Sequence, residues 1–316
     1  MEKSWEKALW KKQGLPDNYT DATFLQHLVV NASVPPRSYW PVALASAAVT
    51  QQLSCVVAAA AVPLHLAAGR IDAGGVLVAC AVLLALGYGT CALLGGHLLG
   101  GSVARGVRQC LLLVGGVYGL APLLRSLAAT TSTDSVVALA VAGGLVNLAL
   151  GDYGFVNNEA EDRRLTGTVS LGAGVMAAVL LASRLGSELQ VFAQVLLSLE
   201  LFLLSPYVRR HVQRASVVAH VALTAAMAAA AAGLLAAATG PAAAAAFVLC
   251  AACVSFLVPA ALVRAHKFKA KISGPWDEAA PHIPRELLLR PQPPPPRAQP
   301  RAGAGARASS PPPRQQ

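Results

Sequence analysis

Ala215–Val263 reads ASVVAHVALTAAMAAAAAGLLAAATGPAAAAAFVLCAACVSFLVPAALV, 49 residues without an Asp, Glu, Lys or Arg. At about 1.5 Å of rise per residue, this run is far too long for one crossing of a hydrocarbon core about 30 Å thick. Gly240-Pro241 interrupts it, and that dipeptide is a turn signal. The stretch therefore predicts two membrane spans, near 215–237 and 242–263, joined by a tight turn.

Working back toward the N-terminus, residues 38–69 and 73–104 are likewise free of Asp, Glu, Lys and Arg. They predict spans near 42–63 and 76–99. Further apolar runs predict spans near 107–126, 135–151, 165–183 and 189–208. The expected fold is all-α, a polytopic transmembrane helix bundle of about eight spans over residues 38–265. Composition agrees. Charged residues make up 13% of the 316-residue chain and hydrophobic ones 55%, against about 25% charged in ordinary soluble domains. The small residues Ala and Gly are prominent in the apolar content, and they let helices approach closely in lipid. The first 37 residues lack the apolar core of a cleavable signal peptide, so the first span is expected to act as an uncleaved anchor.

The formal charge of +10 does not point to nucleic acid, because the basic residues lie between apolar runs. With the N-terminus inside, 16 Lys and Arg fall in the inner segments adjoining the spans. The opposite loops hold Arg70, Arg125 and Arg184. This asymmetry predicts both termini in the cytosol. Residues 1–37 form a cytosolic segment with amphipathic patches around Trp5, Ala8 and Leu9 and around Phe24, Leu25, Leu28 and Val29. Its sequons, at Asn18 and Asn31, are expected to stay unmodified on that side. Residues 266–280 form a juxtamembrane motif, and 281–316 a Pro/Arg-rich tail expected to be disordered.

No catalytic residue is predicted, and no metal site or cofactor. Cys250 and Cys253 form a CxxC, but no second Cys or His pair stands at zinc spacing. The glycine pairs lack the following Lys-Ser or Lys-Thr of a phosphate loop. Glu200 stands alone within the sixth span, either a functional acid or a partner for neighbouring polar groups. The densest polar cluster follows the fourth span: Asp152, Tyr153 and Gly154, then Asn157 to Arg164. It reads as a solvated connector, a docking surface or a place where a headgroup is met.

Several short motifs together resemble the PIG-C family of phosphatidylinositol N-acetylglucosaminyltransferase components. They are Leu15-Pro16-Asp17-Asn18-Tyr19 with Phe24-Leu25, Gln51-Gln52-Leu53-Ser54, Tyr118-Gly119 with Pro122-Leu123-Leu124, and Ser132-Thr133-Asp134. Asp152-Tyr153-Gly154, Leu181-Ala182-Ser183-Arg184-Leu185 and Gly274-Pro275-Trp276-Asp277-Glu278-Ala279 follow. Their order and spacing over residues 5–280 carry the likeness. Ser170-Leu171-Gly172 stands where the family has Ser-Leu-Asn.

The resemblance implies a complex of the endoplasmic reticulum membrane that transfers N-acetylglucosamine from UDP-N-acetylglucosamine to phosphatidylinositol, the first step of glycosylphosphatidylinositol (GPI) anchor synthesis. The sugar chemistry would belong to a PIG-A-type catalytic subunit. This chain would then be a scaffolding or lipid-presenting subunit with phosphatidylinositol and the other subunits as partners. The candidate partner or lipid contacts are Pro16, Asp17, Asn18, Tyr19, Gln51, Gln52, Asp134, Asp152, Tyr153, Gly154, Arg184, Pro275, Trp276, Asp277 and Glu278. The competing reading is a small-molecule or lipid transporter or scramblase of the same membrane.

Overall fold

The structure is a computed structural model, and it describes residues 12, 14, 29–30, 37–95, 103–128, 130–158, 167–269 and 272–273. The chain divides into two compact units, residues 35–269 and a unit formed by 1–34 with 270–316. In the smaller unit, strand β1 (Val29–Val30) pairs antiparallel with β2 (Ile272–Ser273), with Val29 opposite Ser273 and Val30 opposite Ile272. The amphipathic patches around Trp5 and Phe24, both sequons and the Pro-rich tail lie outside the described residues.

The larger unit is all helix and connection. Its elements are α1 (Tyr39–Ala67), α2 (Ala73–Gly95), α3 (Val103–Ser126), α4 (Thr133–Ala149), α5 (Tyr153–Val156), α6 (Thr168–Ala182), α7 (Glu188–Leu199), α8 (Ser205–Ala215), α9 (Val217–Thr239), α10 (Pro241–Ala252) and α11 (Val258–His266). A π-helical turn, Glu200–Leu204, joins α7 to α8 in one continuous rod, and a second, Cys253–Leu257, joins α10 to α11. Among the described residues, five helices are long and apolar enough to cross a membrane: α1, α2, the α7–α8 rod, α9 and the α10–α11 rod. Three shorter apolar helices, within α3, α4 and α6, stand among them.

The local causes are visible at the ends. Ser132, Ser187 and Ser216 cap α4, α7 and α9 with side-chain oxygens that accept backbone N–H bonds, and Ser187 forms a full capping box with Gln190. Gly240 takes φ +101° between α9 and α10, a conformation that favours glycine, and Pro241 opens α10 at its first turn. The division of the 49-residue run therefore falls at the dipeptide that predicted it.

Packing is centred on α1 and α7. Val191, Phe192, Ala193, Val195, Leu196 and Leu197 of α7 are buried in one cluster with Val62 and Leu66 of α1, Val76 and Cys80 of α2, and Val117 and Ala121 of α3. The outward faces of α2, α3 and α4 carry exposed Leu and Val, among them Val78, Leu86, Leu111, Leu112, Leu139 and Leu145. An aqueous surface would not tolerate that many large apolar side chains together, whereas a lipid one does.

Polar side chains of α1 act as glue toward the C-terminal helices. Thr50 Oγ1 lies 2.8 Å from Ser255 Oγ, and the Tyr39 hydroxyl donates to the Phe256 carbonyl at 3.3 Å. Gln51 Nε2 donates to Thr224 Oγ1 at 2.8 Å, and His65 Nε2 stands 2.9 Å from the Leu234 carbonyl. Ser255 lies in the second π-turn, so the wide turn presents a hydroxyl to α1 that a regular helix would place elsewhere.

Candidate functional site

The site grows from the end of α4. After Leu150 and Gly151, Asp152 takes the N-cap position of the short helix α5, its Oδ1 accepting the Phe155 backbone N–H at 3.0 Å. The Tyr153 hydroxyl turns back to donate to the Leu148 carbonyl. Burial pushes the Tyr153 phenol above its ordinary pKa, with Arg209 pulling the other way. The phenol therefore stays neutral and keeps its proton for that bond.

Residues 151–158 do not form a solvated connector. Phe155 is 1% exposed and Val156 3%, packed against Ala48 of α1. The Arg210 guanidinium sits 4.4 Å from the centre of the Phe155 ring, and Tyr207 meets that ring edge-on at 5.2 Å. Asn157 Nδ2 donates to the Ala45 carbonyl at 3.1 Å. Asn158, in the left-handed region at φ 58°, donates to Gln213 Oε1 and to the Arg210 carbonyl. The segment is a plug fixed to α1 and α8. Apolar Phe155 and Val156 between the polar residues drive it inward, a local pattern that the surrounding charge obscured. Residues 159–166, the rest of that cluster, lie outside the described residues.

Behind the plug runs a chain of buried polar groups from four helices. Arg209 Nη2 of α8 donates to Gln52 Oε1 of α1 at 2.8 Å, and Gln52 Nε2 donates to Asn147 Oδ1 of α4 at 2.8 Å. Asn147 Nδ2 then donates to the Ser170 carbonyl of α6 at 2.8 Å, while the Ser170 hydroxyl donates back to the Asn147 carbonyl at 2.7 Å. Glycine makes room for it: a Cβ on Gly174 would lie 2.8 Å from Asn147 Nδ2, and one on Gly143 would lie 2.9 Å from the Ala173 carbonyl oxygen. A cleft of about 30 Å³ opens onto this chain, bounded by Gln52, Asn147, Asp152, Tyr153, Ser170 and Arg209.

Of the predicted contacts, Gln52, Asp152 and Tyr153 thus meet at one cleft. Gly154 lies in α5 beside it, and a Cβ there would stand 3.8 Å from Asp152 Oδ1. Gln51 faces the other way, toward Thr224 and His220 of α9. Asp134 is exposed in the first turn of α4, at the opposite end of that helix. Arg184 is at that far end too, donating through Nη2 to the carbonyls of Ala128 at 2.9 Å and Thr131 at 2.5 Å. Pro16, Asp17, Asn18, Tyr19, Pro275, Trp276, Asp277 and Glu278 lie outside the described residues. Glu200 is buried at the start of the first π-turn beside Cys80, and its Oε2 has no partner among the described residues.

Asn147, Ser170 and Arg209 are not contacts that the sequence singles out. Asn147 does carry a signal, a lone amide in an apolar run. Arg209 and Arg210 read in the sequence as part of the loop after the sixth span. Both sit inside the continuous α7–α8 rod, 2% and 5% exposed. Among the described residues, no group of three His, Cys, Asp or Glu is placed to hold a metal ion.

Residues 5–277 match the family described as phosphatidylinositol N-acetylglucosaminyltransferase, GPI2. This chain belongs to that family. A Dictyostelium discoideum protein is 34% identical over 280 residues, covering 89% of this chain and 80% of the relative. The phosphatidylinositol N-acetylglucosaminyltransferase GPI2 subunit of Schizosaccharomyces pombe is 30% identical over 297 residues, covering 90% and 88%. A Homo sapiens protein, also named as a subunit of phosphatidylinositol N-acetylglucosaminyltransferase, is 30% identical over 282 residues, covering 88% and 93%. No solved structure matches the chain.

Proposed function

We propose that this chain is a multi-pass subunit of an endoplasmic reticulum complex that transfers N-acetylglucosamine from UDP-N-acetylglucosamine to phosphatidylinositol. It holds its partners and presents lipid, while a separate PIG-A-type protein performs the sugar chemistry. The family match over residues 5–277, with relatives named as subunits of that transferase, is the observation that carries the reading. The geometry is in keeping with a supporting role. The polar groups of the bundle are committed mainly to one another, along Arg209, Gln52, Asn147 and Ser170.

Eight spans with both ends cytosolic belong to the same proposal. The pairing of Val30 with Ile272 supports it, because strands that hydrogen-bond must lie on one side of a membrane, which requires an even number of crossings. Among the described residues, five long helices and three shorter apolar ones are compatible with that number.

Purification of the tagged full chain from mild-detergent membranes tests the proposal. Recovery of a soluble-fold glycosyltransferase partner and of transferase activity toward phosphatidylinositol is the expected result. Normal surface display of GPI-anchored proteins in cells that lack the chain would sink it.

A further inference from the structure

Arg209 has an unbalanced charge. Its side chain is 2% exposed, and Nη2 is held by the neutral Gln52 amide. Nε and Nη1 have no partner among the described residues, and together they carry three N–H donors. No carboxylate among the described residues lies within ion-pair distance of it; Cys55, Tyr153 and His220 are among its polar neighbours. A buried guanidinium left in this condition is unfavourable unless an anion joins it.

The neighbouring donors are already in use. The Tyr153 hydroxyl serves Leu148, the Ser170 hydroxyl serves Asn147, and the amides of Gln52 and Asn147 are bonded in series. What Arg209 lacks among the described residues is a negatively charged acceptor for Nε and Nη1. The cleft also lies at a telling depth. About 20 residues of helix cross a hydrocarbon core, and Arg209 comes 21 residues after Glu188, where its rod begins. That places it at headgroup level, between helices whose outer faces are apolar.

We infer that the Arg209 cleft seats the phosphate group of a phosphate ester, with Arg209 as the binding cation and Asp152 and Tyr153 at its rim. A phosphate has oxygens enough to meet donors on more than one edge of a guanidinium, which a single carboxylate does not. The carboxylate of Asp152 in the same lining favours a singly charged diester over a dianion. The free volume of about 30 Å³ admits one small group, so the phosphate seats there while the remainder of the ester stays outside. Lipid headgroups and soluble phosphates share this chemistry. The inference deepens the proposed lipid-presenting role and rests on it only for the choice of lipid.

The test uses the full chain in phosphatidylcholine nanodiscs, with dioctanoyl phosphatidylinositol and inorganic phosphate as separate probes. Thermal unfolding is followed by tryptophan fluorescence. A midpoint that rises with either probe in the wild type, and not in Arg209→Met, supports the site. Protection by the lipid alone identifies a headgroup, and protection by inorganic phosphate alone identifies a soluble source. Arg209→Lys keeps the charge but loses the planar fork, and should weaken apparent affinity roughly tenfold or more.

Arg209→Met removes an uncompensated charge but also the donor to Gln52 Oε1, so protection is read as the shift from each protein's own unliganded midpoint. If that variant fails to fold, Arg209→Lys with Tyr153→Phe carries the same comparison. No protection of the wild type by either probe overturns the inference, as does equal protection of wild type and variants. Co-purification of partner proteins is measured in parallel. Its loss in the wild type would count against the proposed function and leave the phosphate site standing.

Discussion

At the residue scale, Asn147 is the joint of the buried chain, because it links α1 to α6 through α4. Asn147→Leu keeps the volume but strands Gln52 Nε2, which now donates to its Oδ1, and removes the donor that serves the Ser170 carbonyl. Leaving a buried donor unmade costs about 1–3 kcal/mol, so the detergent-solubilised variant should unfold at a lower midpoint in calorimetry. Gly174 and Gly172 offer a matched pair on the next helix. A methyl on Gly174 would press on Asn147 Nδ2 at 2.8 Å and on Phe202 at 3.2 Å, while a methyl on Gly172 would meet nothing within 4 Å. Gly174→Ala should therefore destabilise by about 1–3 kcal/mol through overpacking. Gly172→Ala should be neutral, or stabilise by up to about 1 kcal/mol from helix propensity alone. Equal midpoints for the two would refute the account of Gly174 as space kept for Asn147.

These residues also show what a sequence can reveal. Gln52 is marked in advance through the motif Gln51-Gln52-Leu53-Ser54, and Asp152 through Asp152-Tyr153-Gly154 and the polar cluster it opens. Ser170 draws notice only through the residue two places on, Gly172, which makes no close contact. Arg209 escapes for a definite reason. Charge counting ends a span after about 20 residues and assigns the next arginine to a loop. Here the rod continues for 28 residues to Ala215. That continuation depends on α5 folding back to cover α8, a contact between segments 55 residues apart, as in the Arg210 bond to the Phe155 carbonyl. No local pattern encodes it.

At the scale of elements, the arginines at the far end of the bundle act as staples for helix ends. Arg184 draws together the Ala128 and Thr131 carbonyls between α3 and α4, and Arg70 donates to the Ala237 and Ala238 carbonyls in the last turn of α9. The Ala237 and Ala238 carbonyls lack partners within α9 and carry the negative end of its dipole, so Arg70 is favourable there twice over, whereas Arg184 satisfies carbonyls of the connection between α3 and α4. Arg125 is exposed at the end of α3 and makes no bond of this kind among the described residues. Arg184→Ala should lower stability by about 1–3 kcal/mol, and Arg125→Ala should stay within about 0.5 kcal/mol of wild type. Limited proteolysis between α3 and α4 should accelerate in the first variant only. This also refines the charge asymmetry read from sequence: two of the three arginines on that side are held by backbone carbonyls.

At the scale of the whole molecule, the decisive relation is between its two ends. Hydropathy alone supports several span counts, because α3, α4 and α6 fall short of the length that marks α1 or α9. The strand pair constrains parity independently of any hydropathy threshold. Val30 and Ile272 are partners across the antiparallel register, so cysteines at both positions stand close enough for a disulfide or a short bifunctional crosslinker. A chain carrying Val30→Cys and Ile272→Cys in intact membranes, treated with a mild oxidant, should gain an internal crosslink that speeds its migration in a denaturing gel and that reductant reverses. Either single variant should not. An odd number of crossings separates the two positions by the full bilayer and forbids the product. The same membranes should let an impermeant thiol reagent reach a cysteine placed at Ser273 from one side and a cysteine placed at Gly186 from the other. Labelling of both from one side would contradict the proposed eight-span arrangement.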